Sequence, residues 1–126
     1  MQINRHIKDY VVYETEPISR ALEKINQNQK RIAFVITSEG ELKGAVSDGD
    51  FRRWVTKTPA INLKTEVIEI TNRNFISAHV NASRADILAL FEKAIDTIPL
   101  IDDNGRFIAV ALNNPSEIYI GENIIG

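Results

Sequence analysis

Apolar residues recur along the chain in two rhythms, and the order of the rhythms repeats. Ile18, Ala21, Leu22 and Ile25 fall at i, i+3, i+4 and i+7, which makes one stripe of an amphipathic helix. Two largely apolar runs follow, Ile32-Ala33-Phe34-Val35-Ile36 and Leu42-Lys43-Gly44-Ala45-Val46, separated by a polar turn with Glu39-Gly40. This pattern predicts a β-hairpin. It returns as Thr97-Ile98-Pro99-Leu100-Ile101, Asn104-Gly105 and Phe107-Ile108-Ala109-Val110-Ala111, at a constant offset of about 65 residues, the size of a supersecondary repeat. Asn104-Gly105 is a strong hairpin-turn pair, since both residues tolerate positive φ.

A helix precedes each hairpin. Thr15-Glu16-Pro17 offers an oxygen to cap the first helix and a proline for its first turn. In the second half Ile87, Leu88, Leu90, Phe91, Ala94 and Ile95 form a wider stripe, which predicts a helix buried on more than one side, capped by Asn81 or Ser83. Short strands are expected before each helix, over Tyr10–Tyr13 and Phe75–Val80. Each half thus reads β-α-β-β. The first adds a helix from Asp50 to about Thr56, whereas Asn113-Asn114-Pro115 breaks the pattern in the second. Residues 1–64 form one repeat with an N-terminal segment and most of a linker, which runs from Lys57 to about Val67 and contains Thr58-Pro59. Residues 65–115 form the second repeat and 116–126 a tail. Neither half could bury much alone, so the expected fold is α/β (α+β), with two sheets packed on one shared core.

Composition narrows the chemistry. The 126 residues carry 15 Lys and Arg against 17 Asp and Glu, a formal net charge of -2, with no Cys and two His. No disulfide, thiolate nucleophile or thiolate metal site can form. Two distant histidines argue against zinc, and the charge balance argues against general nucleic-acid binding. The first residues lack the apolar core of a signal peptide, and runs such as Ile32 to Ile36 are too short to span a bilayer. A cytoplasmic protein with no membrane partner is expected.

Candidate chemistry concentrates in Gly44-Ala45-Val46-Ser47-Asp48-Gly49-Asp50-Phe51-Arg52-Arg53. A strand is expected to end at Ser47 and a helix to begin near Asp50. The first turn of a helix has unpaired N–H groups and partial positive charge, where phosphate is stabilised. Ser47 places a hydroxyl beside that point, Gly49 allows close backbone approach, and Asp48 adjoins both. Asp50 is an acceptor suited to a ribose diol. Arg52 and Arg53 can neutralise phosphate. The same residues also admit a plainer role, in which Ser47 and Asp50 only cap the helix and the arginines form a solvated face.

The order of these motifs resembles the tandem CBS domain, or Bateman module. In that family each repeat is β-α-β-β-α, and the strand-to-helix step carries Gly, two apolar residues, Ser or Thr, two variable residues, then Asp. Gly44, Ala45, Val46, Ser47 and Asp50 match it position by position. The string Val46 to Arg53 resembles CBS pairs appended to bacterial sugar-metabolism enzymes, and Ile98 to Arg106 is also typical of the family. The resemblance runs from about Tyr10 to Asn114 and implies a pseudo-two-fold pair of repeats. It implies that Ser47 contacts phosphate, that Asp50 holds the ribose of a nucleotide, and that the base lies among Val12, Tyr13 and Phe34. The implied effector is AMP, ADP, ATP or another nucleotide or nucleotide-sugar, a regulatory ligand rather than a cofactor. In the second repeat Ala109 stands for the Gly, Leu112 for the Ser or Thr and Pro115 for the Asp, so one competent site per chain is expected at most.

Ile120-Gly121 and Ile124-Ile125-Gly126 resemble the opening strands of the sialic-acid synthase family. That likeness implies a regulatory domain attached to a nonulosonic-acid synthase-like enzyme; otherwise the tail is an edge strand. The chain itself is expected to be non-catalytic. Ser47 lacks the glycine two positions before it that a hydrolase elbow needs, since Ala45 stands there. Asp48-Gly49-Asp50 lacks the alternating acids and closing Glu of a calcium loop, so no metal is expected. Asp102-Asp103 reads as turn polarity, and His6 and His79 as surface residues. Phe51, Trp54 and Val55 form an apolar stripe that serves either the core or, as in CBS pairs that join through such helices, a homodimer contact. A competing role is a ligand-free dimerisation or packing module of a sugar-phosphate enzyme or nucleotidyltransferase. Phe34, where the family often has Pro, keeps that role open.

Overall fold

The computed structural model describes residues 1–92 and 94–113. The expected tail, and Pro115 with it, lie outside the described residues. The chain runs β1 (Gln2–Asn4), a 3-10 turn (Lys8–Tyr10), β2 (Val11–Tyr13), α1 (Ile18–Asn28), β3 (Ile32–Ile36), β4 (Leu42–Ser47) and α2 (Asp48–Lys57). A second 3-10 turn (Val67–Ile70) leads to β5 (Ala78–His79), α3 (Arg84–Leu88), β6 (Thr97–Ile101) and β7 (Phe107–Leu112). The strands form two sheets, ordered β2-β3-β4 and β1-β7-β6-β5.

The repeat seen in the sequence is reproduced in the hydrogen-bond register. Ile32 faces Ser47 in the first hairpin, and Thr97 faces Leu112 in the second. Both registers slip at the equivalent step, between Val35 and Ile36 and between Leu100 and Ile101. The strands are apolar on both faces because both faces are covered. Ala33, Val35 and Val46 pack under α1 with Val12, Ile18, Ala21 and Ile25. Ile98, Leu100, Ala109 and Ala111 pack under α3 with Ile87. Between the sheets lies a third cluster of Tyr10, Phe34, Ile36, Ala45, Phe107, Val110 and Leu112. There the Phe34 and Phe107 rings meet edge-on, with centroids 5.1 Å apart.

Each repeat also lends an edge pairing to the other, a strand in one direction and a single bridge in the other. The N-terminal residues, grouped by sequence with the first repeat, form β1 on the free edge of β7, with Asn4 opposite Val110. At the equivalent place in the first sheet, Asn72 pairs with Ala45 through bonds of 3.0 and 2.8 Å. The two asparagines turn the chain alike, since Asn4 Oδ1 accepts from the His6 N–H and Asn72 Oδ1 from the Asn74 N–H. Gly44 permits the second crossing. A Cβ there would lie 2.5 Å from both Asn72 O and Thr71 Cγ2.

Several expected details differ. Pro17 is the N-cap of α1, outside its first turn, and no side chain caps it. The first amides instead donate to the linker, Ile18 to Thr65 O at 2.8 Å and Ser19 to Leu63 O at 3.1 Å. The second-half helix ends at Leu88, five residues long, with Ile87 buried and Leu88 42% exposed. Its predicted continuation folds back on itself, Glu92 pairing with Ile95, because the chain must reverse before β6. Ser83 caps this helix through Asp86 N–H. The strand expected over Phe75–Val80 shrinks to Ala78–His79. Of the turn pair, Gly105 alone takes positive φ, at +76°. The loop is a three-residue type closed by glycine, and Gly40, at φ +87°, closes the first hairpin likewise.

Candidate functional site

α2 begins at Asp48, directly after β4, and Ser47 is its N-cap. The side chains of Ser47 and Asp50 form a reciprocal capping box. Asp50 N–H donates to Ser47 Oγ at 3.2 Å, and Asp50 Oδ2 accepts from Ser47 N–H at 2.9 Å and Ser47 Oγ at 3.0 Å. Asp50 Oδ1 accepts from Arg53 Nη2 at 2.5 Å. Both Asp50 carboxylate oxygens are therefore engaged by Ser47 and Arg53, and its side chain is only 13% exposed. Gly49 leaves room for Arg53 as well. A Cβ there would sit 3.3 Å from Arg53 Nη1.

Beside this turn a cleft of about 420 Å³ opens between the repeats. One wall is Ser47, Asp48, Gly49 and Arg52 from the β4–α2 step, with Lys30, Arg31 and Ile32 from the entry to β3. The other wall is Ala94, Ile95, Asp96 and Thr97, from the entry to β6. The walls are matched across the repeat. Asp48 N–H donates to Arg31 O at 3.2 Å, and Asn113 N–H to Asp96 O at 3.0 Å. Arg31 and Gln29 both hold left-handed φ values, 60° and 59°. Such a backbone is costly for side chains of this size. Three cations, Lys30, Arg31 and Arg52, meet two carboxylates, Asp48 and Asp96, at the amino end of α2. An anionic ligand is stabilised by that balance together with the helix terminus. Near the opposite wall, burial first, then the carboxylates of Asp9 and Asp96, raises the Tyr10 phenol above its usual range.

The structure divides the predicted site residues. Ser47, Asp48, Gly49 and Arg52 share the cleft. Asp50 and Arg53 open instead on a separate surface depression with Trp54, Lys57 and residues 69–72. Val12 and Phe34 do not line the cleft. They are 0% and 1% exposed in two different core clusters, so neither can flank a base without opening the core. Tyr13 is 47% exposed but lies on the outer edge of β2, in another depression. Phe51 and Trp54 pack against the first core while remaining half-buried, and Val55 is half-buried beside them. Sequence reasoning missed Lys30, Arg31 and the Ala94–Thr97 wall. The repeat itself was the available signal, because residues entering β3 and β6 are equivalent and a cleft on the axis between repeats is lined by both. Leu112, in the serine's place, is 8% exposed in the core between the sheets, which leaves no hydroxyl there.

His79 Nε2 lies 2.6 Å from Asp103 Oδ1 at the surface, away from the cleft. Asp102 Oδ1 accepts from the Asn104 and Arg106 N–H groups, each at 2.9 Å, which makes it a turn residue. Among the described residues no helix is long and apolar enough to cross a membrane, and no group of three His, Cys, Asp or Glu side chains is placed to hold a metal.

Comparison with known proteins agrees with this fold. Residues 4–57 and 67–111 each match the CBS domain family. An uncharacterized protein of Rickettsia prowazekii (strain Madrid E) is 32% identical over 95 residues, which cover 75% of this chain and 29% of that protein. The chain therefore spans 29% of the length of the curated relative it matches. Among solved structures, a CBS domain protein from Streptococcus pneumoniae is similar with a TM-score of 0.76 and 14% identity, covering 98% of this chain and 80% of the other. CbpB in complex with c-di-AMP is similar with a TM-score of 0.72 and 18% identity, covering 90% of this chain and 75% of that one.

Proposed function

Because the chain belongs to the CBS domain family as a tandem pair, we propose that it is a regulatory module that senses a nucleotide in the cleft between its repeats. The carrying observation is the cleft itself. It is about 420 Å³, within the range of small-molecule sites, and three cations line it beside a helix amino terminus. The nucleotide complex of the CbpB neighbour supports the ligand class. AMP, ADP, ATP, a cyclic dinucleotide or a nucleotide-sugar would place phosphate against Arg31, Arg52 and the Ser47–Gly49 turn. Ser47 Oγ accepts from the Asp50 N–H, and its hydroxyl can turn away from Asp50 Oδ2 to donate to phosphate. Asp50 is then a positioning residue that fixes the turn, and reaching ribose would require it to leave Ser47 and Arg53.

Thermal shift against that nucleotide panel tests this reading. A saturable rise in Tm is expected for at least one nucleotide, and it should vanish in an Arg31→Ala/Arg52→Ala variant that still folds. Silence across the panel, or an equal rise in the variant, would overturn it.

Binding can bias an attached enzyme only by favouring one of two states. On the likeness of residues 120–126, we place that enzyme in the sialic-acid or nonulosonic-acid synthase class. The reading frame beyond the Gly126 codon tests the assignment, which a barrel domain of another class would remove. A second reading, a ligand-free homodimerisation module, is favoured by one observation: both Asp50 carboxylate oxygens are already engaged internally, by Ser47 and Arg53. Sedimentation of Trp54→Glu bears on it. A folded monomer supports the helix contact, and an unfolded chain places Trp54 in the core.

A further inference from the structure

On the outer edge of β2, away from the cleft, lies a depression of about 500 Å³ that shares no residue with it. Its apolar lining is Ile7, Val11, Tyr13 and Ile36. Tyr13, part of that lining, is 47% exposed, and among the described residues no aromatic ring packs on it. Lys8, Arg20 and Lys24 complete the wall, with Glu16 as the one carboxylate.

The charges in this depression are unequally engaged. Arg20 already meets Glu16 at 3.5 Å and Glu23 at 2.6 Å. Glu16 also accepts from the Tyr13 N–H at 2.9 Å. The two ammonium groups have no such partners. Among the described residues, no carboxylate lies within salt-bridge distance of Lys8 or Lys24. Lys24 is only 6% exposed, and among the described residues its one side-chain hydrogen-bond partner is Lys8 O at 2.9 Å. An ammonium has three donors, and a buried charge is ordinarily paired. With Arg20 balanced by Glu16 and Glu23, two positive charges remain on an apolar shelf.

We propose that this depression binds a small carboxylate carrying an aromatic or branched apolar body. The carboxylate lies between the Lys8 and Lys24 ammoniums, and the body covers Tyr13, Val11 and Ile36. A carboxylate fits better than a phosphate because the one guanidinium present, which would grip phosphate in a fork, is already engaged. An apolar body accounts for the uncovered tyrosine, which a hydrophilic anion would leave in water. The site is independent of the nucleotide cleft, so either can fail alone.

Amide chemical-shift mapping of the 126-residue chain tests the proposal, with phenylacetate as the probe. Benzylamine supplies the same ring with opposite charge, and acetate supplies the charge without a ring. Saturable shifts are expected at Val11–Tyr13 and Arg20–Lys24 for phenylacetate, and weak or no shifts for the other two. Lys24→Met keeps the buried stem and removes the charge. It should weaken phenylacetate about two- to fivefold, the scale of losing one ion pair. Lys8→Gln, at an exposed position, should do the same, and it carries the test if Lys24→Met fails to fold. The proposal is overturned by an absence of saturation into the millimolar range, by equal binding of benzylamine or acetate, by unchanged affinity in the folded lysine variants, or by shifts confined to Ser47–Gly49 and Arg31.

Discussion

At Gly44 the missing side chain leaves space for a neighbouring piece of backbone. Gly44→Ala would press a methyl against Asn72 O and Thr71 Cγ2, and backbone cannot yield as a flexible side chain can. A loss of about 1–3 kcal/mol in denaturant unfolding is expected, the usual cost of overpacking. Gly49 contrasts with it. Its nearest neighbour is the mobile end of Arg53, and it lies inside α2. Gly49→Ala should leave stability unchanged or raise it by up to about 1 kcal/mol. Ser47→Ala removes the cap and should cost about 0.5–2 kcal/mol without any ligand present. Asp102 supplies a pH test. The Arg106 backbone N–H bond, then that of Asn104, holds its carboxyl below the usual carboxylate range. The folded state therefore binds the proton less readily than the unfolded chain. Its stabilising effect is complete above the ordinary carboxylate value near pH 4, and drains as pH falls through that value to the lowered one. Asp102→Asn keeps an acceptor for both amides and should flatten the acid limb of the stability curve, with little change near neutrality. Among the site residues, Ser47, Asp48, Gly49 and Arg52 were legible in the sequence as neighbours around one strand-to-helix step, because such steps are local; that they share a cleft with the entry to β6 was not. The roles given to Val12 and Phe34 could not be checked there. A period-two strand does not say which face meets solvent when both are apolar.

Among the elements, the hairpins were the most legible, since apolar runs and turn glycines are local signals and the second copy reinforces the first. The second-half helix misled because its stripe is continuous in sequence although the chain folds back at Glu92 and Ile95. Helical spacing carries no information about where the next strand must begin. β1 was invisible for another reason. It is three residues long with a single apolar side chain, and it exists through pairing with β7 at the far end of the chain. The contact between the sheets gives the strongest element-scale prediction. Phe107 is 5% exposed and meets Phe34 edge-on. Phe107→Ala should cost about 3–5 kcal/mol in chemical denaturation, because it removes contacts from both hairpins at once. A loss under about 1 kcal/mol would mean that the sheets do not rely on this pair.

For the molecule as a whole, the three apolar clusters share β3, β4 and β7, each strand contributing to two of them. Such sharing predicts that the repeats unfold together. The one tryptophan of the chain lies in α2 of the first repeat. Its fluorescence should therefore fade along the same denaturation curve as far-ultraviolet circular dichroism, which reports both repeats. Two separated midpoints would show independent repeats. The exchange of leading segments, Asn4 onto β7 and Asn72 onto β4, bears on how such a gene can be cut. A fragment ending at residue 64 would keep a strand whose partner had been deleted and would lack the Asn72 bridge that borders its own sheet. Its complement would suffer the mirror-image loss. Expressed apart, the two pieces should be poorly folded, and mixing them should restore the fold, as two hands close only on each other.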